Sequence, residues 1–206
     1  MDRKTHWDCI FQTKVSEQLT WHQPHLQSSL DLIQRAAVGL QARLIDVGGG
    51  DSTLVDDLLA LGFVRPTVLD ISTVALQRAR ERLGGCVAEV EWIEGDITRI
   101  SLPLAAFDLW HDRAVFYFLT DPTDRQRYVH TVQTALEPGG HLVIATFAQD
   151  SPEKCSGLEV VRYSPDSLWR ELGKDFQLRN SRAEIHCTPW GGEQRFMYCL
   201  FHKETE

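Results

Sequence analysis

The 206-residue sequence contains no apolar run approaching the roughly 20 residues that a membrane-spanning helix needs. Its start, Met1-Asp2-Arg3-Lys4-Thr5-His6-Trp7, lacks the apolar centre of a signal peptide. The five cysteines (Cys9, Cys86, Cys155, Cys187 and Cys199) are odd in number, widely spaced and include no CxxC pair, which argues against a disulfide framework and against a zinc knuckle. These absences predict a cytoplasmic protein with reduced thiols and no structural metal. An excess of positive charge is missing too: 21 Lys and Arg stand against 29 Asp and Glu, a formal charge of −8. Such a chain repels a phosphate backbone, so neither nucleic acid nor a membrane surface is expected as a partner. Arginines do gather at Arg78, Arg80 and Arg82, but helical spacing puts only Arg78 and Arg82 on one face, which reads as solvated.

What is present is a globular balance, 43% hydrophobic and 24% charged, in a chain of a length suited to one domain. The expected organisation is a single domain over 1–206, with a core over 40–206 and a helical lid or extension over 1–39. Strand then helix recurs along the core. Ala42 to Val47 is a short apolar run ending at three glycines, followed by helical spacing through Leu54, Val55, Leu58, Leu59 and Leu61. Thr67 to Asp70 reads as a second strand, and Ser72 caps a helix that stops at Gly84-Gly85. Further strands are expected at Val90–Glu94, Phe107–Trp110 and His141–Phe147, with a helix over Arg125–Glu137. The tail changes character: a helix over Pro165–Leu172, then two strands, Gln177–His186 and Arg195–Phe201. The turn-like Thr188-Pro189-Trp190-Gly191-Gly192 between them suits an antiparallel pair. The fold expected is therefore α/β, a Rossmann-like, seven-stranded, mostly parallel sheet with helices on both faces and a C-terminal antiparallel hairpin.

Chemistry concentrates at strand ends. In Asp46-Val47-Gly48-Gly49-Gly50-Asp51-Ser52 the glycines allow a tight turn and close approach of a ligand, and the next helix offers free N–H groups. Asp70, twenty residues after Gly50, is placed to accept hydrogen bonds from two ribose hydroxyls. A GxGxxG dinucleotide fingerprint would need glycine where Thr53 stands, and the acids Asp46 and Asp51 sit poorly beside a pyrophosphate. They suit a sulfonium and an amino group, which carry positive charge. Trp110-His111-Asp112-Arg113 ends the fourth strand. Polar groups at the end of a buried strand are costly unless they pair or bind something. His111 and Asp112 are thus the first candidates for positioning a substrate, with Arg113 beside them; an internal ion pair of Arg113 with an acid is the alternative.

Leu44-Ile45-Asp46-Val47-Gly48-Gly49-Gly50, Val68-Leu69-Asp70-Ile71-Ser72, Gly95-Asp96-Ile97, Phe107-Asp108-Leu109 and Leu136-Glu137-Pro138-Gly139-Gly140 resemble, in order and spacing, the motifs of class I S-adenosylmethionine-dependent methyltransferases. The resemblance spans roughly residues 40–202, with Ser52 where many members carry a third glycine. It implies S-adenosylmethionine as cofactor, Asp46 and Gly48 at the methionine end, Asp70 at the ribose, and Asp96 with Ile97 at the adenine. Gly49, Gly50, Ser52 and Ile71 belong to the same motifs and join the expected cofactor site, together with His111 and Trp21. His111-Asp112-Arg113-Ala114 and Asp124-Arg125-Gln126-Arg127-Tyr128 also resemble the region after the fourth strand in thiopurine and related thiol methyltransferases, and in lysine methyltransferases acting on elongation factors or citrate synthase.

Two segments are expected to close the site. His6-Trp7-Asp8 and Leu19-Thr20-Trp21-His22-Gln23-Pro24-His25 suggest an aromatic lid over the cofactor; the alternative, an amphipathic N-terminal helix packing on the sheet, applies more to Trp7 than to Trp21. The long segment from Ala148 to Tyr163 is expected to select substrate, and its Cys155 could meet a soft acceptor. The leading expectation is methyl transfer to a small soft nucleophile, thiol-like or metalloid. Methylation of a protein lysine comes second, and an NAD-type or non-catalytic nucleotide-binding protein is a distant third.

Overall fold

The computed structural model describes residues 2–205. Its elements run α1 (Arg3–Thr13), α2 (Gln27–Arg35), β1 (Leu44–Val47), α3 (Leu54–Ala60), β2 (Thr67–Asp70), α4 (Thr73–Leu83), β3 (Glu91–Glu94), β4 (Phe107–Arg113), α5 (Pro122–Ala135), β5 (Leu136–Phe147), β6 (Lys154–Cys155), β7 (Leu158–Glu159), α6 (Pro165–Leu172), β8 (Phe176–Cys187) and β9 (Glu193–Lys203). Seven strands form one sheet in the order β3-β2-β1-β4-β5-β9-β8. Pairing is parallel from β3 through β5, while β9 lies antiparallel to both β5 and β8. The expected architecture is present, with a small β6–β7 hairpin added in the segment after β5.

The strands at the centre have no solvent face. Every residue of β1 and β2 is buried, and in β4 only Asp108 is partly exposed. Helices on both sides make such burial possible, so these strands read as unbroken apolar runs. Helix starts follow local chemistry. Ser72 accepts the Ala75 N–H at 3.2 Å to cap α4, and Asp121 accepts the Thr123 N–H at 2.8 Å to cap α5, where Pro122 takes the first turn.

Three expected boundaries move. β4 runs on from Trp110 to Arg113, because His111, Asp112 and Arg113 continue the ladder opposite Val143, Ile144 and Ala145 of β5. α5 begins three residues early, at Pro122, and ends at Ala135. Leu136 already pairs with Phe107, so the stretch through Gly140 is strand. Gly139 accommodates this with a φ of 82°, and a Cβ on Gly140 would lie 2.8 Å from the Glu137 carbonyl oxygen. The hairpin strands β8 and β9 are longer than the apolar pattern suggests because their outer residues are solvated but still paired.

β1 and β4 are neighbours, yet the chain leaves β1 towards β2 on one side and β4 towards β5 on the other. That reversal opens a crevice at their carboxyl ends, the place where open α/β sheets take ligands.

Candidate active site

The crevice holds a cavity lined by the β1 turn, the ends of β2 and β4, the loop after β3, and the N-terminal segment. The turn after β1 is built around acids that press on glycines. Gly48 has a φ of 71°, a region that favours glycine, and a Cβ there would sit 2.0 Å from Val115 Cγ2. A Cβ on Gly49 would lie 2.4 Å from Asp46 Oδ2, and one on Gly50 would lie 2.4 Å from Asp70 Oδ2. The glycines thus let two carboxylates close in on the turn.

Asp46 is buried, and its Oδ1 accepts from His111 Nδ1 at 2.7 Å. The far ring nitrogen, His111 Nε2, meets the Ser29 hydroxyl of α2 at 2.8 Å. His111 lines the cavity, but both ring nitrogens are engaged, so it orients Asp46 rather than presenting a free base. Asp70 ends β2 with Oδ1 accepting the Ser72 N–H at 2.8 Å. Burial, and then the nearby Asp46 charge, push its pKa up to about 7, against the backbone N–H bond that favours the ionised form. A carboxylate kept poorly solvated beside a glycine turn gains most from a ligand that donates hydrogen bonds to it. Asp96 Oδ1 accepts from the Thr98 N–H at 2.9 Å and hydroxyl at 2.7 Å, while Oδ2 faces Arg3 of α1 at 3.6 Å.

Of the residues expected to bind a cofactor, Asp46, Gly48, Gly49, Ser52, Asp70, Ile71, Asp96, Ile97, His111 and Trp21 line the cavity together. Gly50 lies behind it, packed against Asp70 and Ala75. Asp51 also lines the cavity, but its charge is taken up internally: Arg78 and Arg82 of α4 pair with it at 3.3 and 3.1 Å, and the Ser16 hydroxyl donates to it at 2.5 Å. The Arg78–Arg82 face keeps contact with solvent, Arg82 being exposed and Arg78 half-buried, but it has an internal role as well. It anchors the acid, and Arg82 also holds Asp56 at 2.8 Å.

The end of β4 divides as strand alternation requires. His111 and Arg113 face the cavity, whereas Asp112 turns the other way with Trp110. Fully buried, Asp112 accepts the Val115 N–H at 3.0 Å, the Phe116 N–H at 3.2 Å and the Tyr128 hydroxyl at 2.6 Å. Burial pushes its pKa up to about 6, and these bonds oppose the shift. Its expected substrate contact is corrected to a structural one: it fixes the 3-10 turn Phe116–Phe118.

Arg113 is 8% exposed. Its Nε donates to the Tyr198 hydroxyl at 2.8 Å, its Nη1 to the Trp21 carbonyl at 2.9 Å, and its guanidinium carbon lies 4.6 Å from the Phe196 ring centre. Nη2 has no partner, and the anticipated ion pair with an acid is not formed among the described residues.

Aromatic side chains from the N-terminal segment and from the turn after β4 meet at the cavity. Trp7, Phe11, Trp21 and Phe118 all line the cavity, with Trp7 packed edge-on at 5.7 Å from Trp21 and 5.0 Å from Phe118. Trp7 lines the cavity as Trp21 does. α1 is held over the site by polar clamps: Arg3 to Asp96 and Asp124, and Lys4 to Glu94 at 3.0 Å and to the Thr73 hydroxyl at 2.6 Å. Arg3 and Phe118 were not apparent from sequence. The aromatic run Phe116-Tyr117-Phe118 directly after β4 was the available signal for the second. No residue of the segment after β5 lines the cavity. Cys155 is buried there, 3.6 Å from the Tyr117 hydroxyl, so it backs the 3-10 turn and does not face an acceptor. His25 pairs with Asp57 at 2.8 Å on the surface, His22 lines the cavity, and no metal-holding cluster forms among the described residues.

Residues 44–140 match the model of the methyltransferase domain family. The mouse eEF1A lysine and N-terminal methyltransferase is 25% identical over 150 residues, 70% of this chain and 21% of that protein. Nodulation protein S of Rhizobium tropici is 30% identical over 115 residues, covering 56% of this chain and 47% of its own. Among solved structures, a S-adenosylmethionine-dependent methyltransferase from Anabaena variabilis superposes with a TM-score of 0.76 at 13% identity, over 99% of this chain and 96% of that one. The chain spans about a fifth of the length of the mouse relative. The matched segment carries the glycine turn and the strand-end acids, and the sheet order is the fold shared with these S-adenosylmethionine-dependent methyltransferase structures. No helix among the described residues is long and apolar enough to cross a membrane.

Proposed function

We propose that this protein transfers the methyl group of S-adenosylmethionine to a small, soft nucleophile, a thiol or a metalloid species. The chain's residues fit the cofactor: Asp70 offers a poorly solvated carboxylate to the ribose, Asp96 and Ile97 flank the adenine position, and Asp46, held by His111, faces the cationic end. The bound cofactor supplies an activated methyl group on a sulfonium. The protein's own contribution is alignment and exclusion of water, which suit an in-line displacement. Trp7, Phe11, Trp21 and Phe118 make the cover apolar, and the clamps from Arg3 and Lys4 hold it in place.

The observation that carries the choice of acceptor is the state of His111 and Asp112. One has both nitrogens occupied, and the other points into the core. Neither is free to take a proton from an ammonium group, which an amine acceptor must lose before transfer. A thiol or metalloid acceptor needs no strong base. Lysine methylation is the second reading, and His22 favours it: its ring lines the cavity without a hydrogen bond among the described residues.

Calorimetry with S-adenosylhomocysteine and NAD tests the cofactor. Binding of S-adenosylhomocysteine is expected, and NAD binding in its place would refute the assignment. A labelled-methyl screen of thiols and of selenium, tellurium and arsenic species, run beside cell-extract proteins, tests the acceptor. Label is expected in small molecules; label confined to a protein band would establish the second reading instead.

A further inference from the structure

Arg113 is the cavity's unexplained charge. A guanidinium stays protonated at any ordinary pH, and burying one without a carboxylate partner is costly. Here it is more than nine-tenths buried, its neighbours are neutral, and one of its N–H-bearing nitrogens, Nη2, is left without an acceptor in a residue that lines the ligand cavity. Glu184 is linked to it through the Tyr198 hydroxyl, 3.3 Å from Glu184 Oε1, and forms no ion pair with it. His186, held below the ordinary imidazole range by burial and then by the Arg113 charge, adds no countercharge. Every internal contact of Arg113 lies on the β9 and Trp21 side: Tyr198, Phe196 and the Trp21 carbonyl. None comes from the β1 turn, where the cofactor's methionine end belongs. Nη2 is thus the buried guanidinium nitrogen for which the described residues supply no acceptor.

We propose that Arg113 binds a negative charge on the methyl acceptor, so that the substrate is a small anion, a carboxylate-bearing thiol being the simplest case. The proposal rests on the methyltransferase reading and narrows its acceptor class. An anion completes the hydrogen bonding of Nη2 and neutralises the buried cation, while an ammonium-bearing acceptor is repelled by it. In the reaction the thiol has released its proton to solvent. The thiolate's electron pair forms the new carbon–sulfur bond, and the bonding pair of the broken bond stays on the donor sulfur, which becomes a neutral thioether.

The test uses three thiols that share a two-methylene spacer and differ in the charge of the group it carries: 3-mercaptopropionate, 2-mercaptoethanol and cysteamine. With labelled S-adenosylmethionine and the full chain, transfer is expected to fall in that order, the anion leading the neutral thiol by at least about tenfold. In Arg113→Met the order should flatten while S-adenosylhomocysteine affinity stays within about threefold, and Arg113→Lys should restore part of the preference. A flat or cation-favouring order in the unaltered protein, or no transfer to 3-mercaptopropionate, overturns the proposal without needing any variant to fold. It is overturned equally if Arg113→Met lowers S-adenosylhomocysteine affinity as much as transfer, since the charge would then serve the cofactor's own carboxylate. Failure of the unaltered protein to bind S-adenosylhomocysteine would instead defeat the methyltransferase reading beneath it.

Discussion

Asp70 gives the cofactor site a pH dependence that can be worked out in advance. Its carboxyl has a pKa of about 7 in the folded protein, against an ordinary aspartate value of 3.8, with burial the largest cause and the Asp46 charge adding to it. Two ribose hydroxyls can both donate only to the ionised form. The apparent dissociation constant is then the intrinsic one divided by the ionised fraction, which is roughly one part in eleven at pH 6 and ten in eleven at pH 8. S-Adenosylhomocysteine should therefore bind about tenfold more tightly at pH 8 than at pH 6, with close to one proton released per molecule bound at pH 6. Stability of the free protein runs the opposite way. A carboxyl whose folded pKa is raised takes up a proton on folding, so its contribution is most favourable at low pH. That contribution is lost as pH rises from about 4 through 7. Calorimetry in two buffers of different ionisation enthalpy measures both the affinity and the proton count. Asp70→Asn is the control: affinity should drop by roughly 1–3 kcal/mol, because the ribose loses its acceptor, and the remaining binding should be flat with pH. An unaltered protein whose affinity and proton release do not change between pH 6 and 8 would refute the assignment of Asp70 to the ribose.

Three further substitutions separate binding from scaffolding. Gly50→Ala places a Cβ 2.4 Å from Asp70 Oδ2 and 2.9 Å from Ala75 Cβ, so thermal melting should show a loss of about 1–3 kcal/mol, with S-adenosylhomocysteine affinity reduced at least tenfold. Asp112→Asn strips a charged acceptor from the Tyr128 hydroxyl and the 3-10 turn. It should lower the melting temperature by the equivalent of about 1–3 kcal/mol while leaving S-adenosylhomocysteine affinity within about twofold, and a large affinity loss in a fully stable variant would return Asp112 to the cofactor or substrate. Arg82→Met leaves the buried Asp51 with Arg78 as its one cation and removes the partner of Asp56, so denaturant melts should show a loss of about 1–2 kcal/mol that largely disappears in the Asp51→Asn background.

The parts of the fold that depend on local sequence were legible, and the parts of the site that depend on direction were not. β1, β2 and α4 are announced by an apolar run, a glycine turn or a capping serine, each of which acts within a few residues. Asp46, Asp70, Asp96 and Asp112 look alike in sequence, each at or near a strand end. What distinguishes them is which side of the strand they occupy and what has folded up against that side. For β4 the information was present: once the strand continues past Trp110, a period of two puts His111 and Arg113 on one face and Asp112 with Trp110 on the other. Tyr128 of α5 confirms the division, since its hydroxyl serves Asp112 at 2.6 Å and Trp110 Nε1 at 3.1 Å. The sequence places His111, Asp112 and Arg113 at the end of this strand without saying what each would meet, because their partners are distant in the chain. Those partners, Ser29, Tyr128 and Tyr198, lie 82, 16 and 85 residues away, and only the assembled sheet supplies them. Arg78 and Arg82 follow the same logic, with Asp51 some 30 residues upstream giving a face that reads as solvated a buried carboxylate to hold. Arg113 is the reverse case. Tyr198 and the Trp21 carbonyl take one N–H each from Nε and Nη1, Nη2 is left without an acceptor, and a buried cation so placed in a residue that lines a cavity is most simply understood as complementary to something that is not part of the chain.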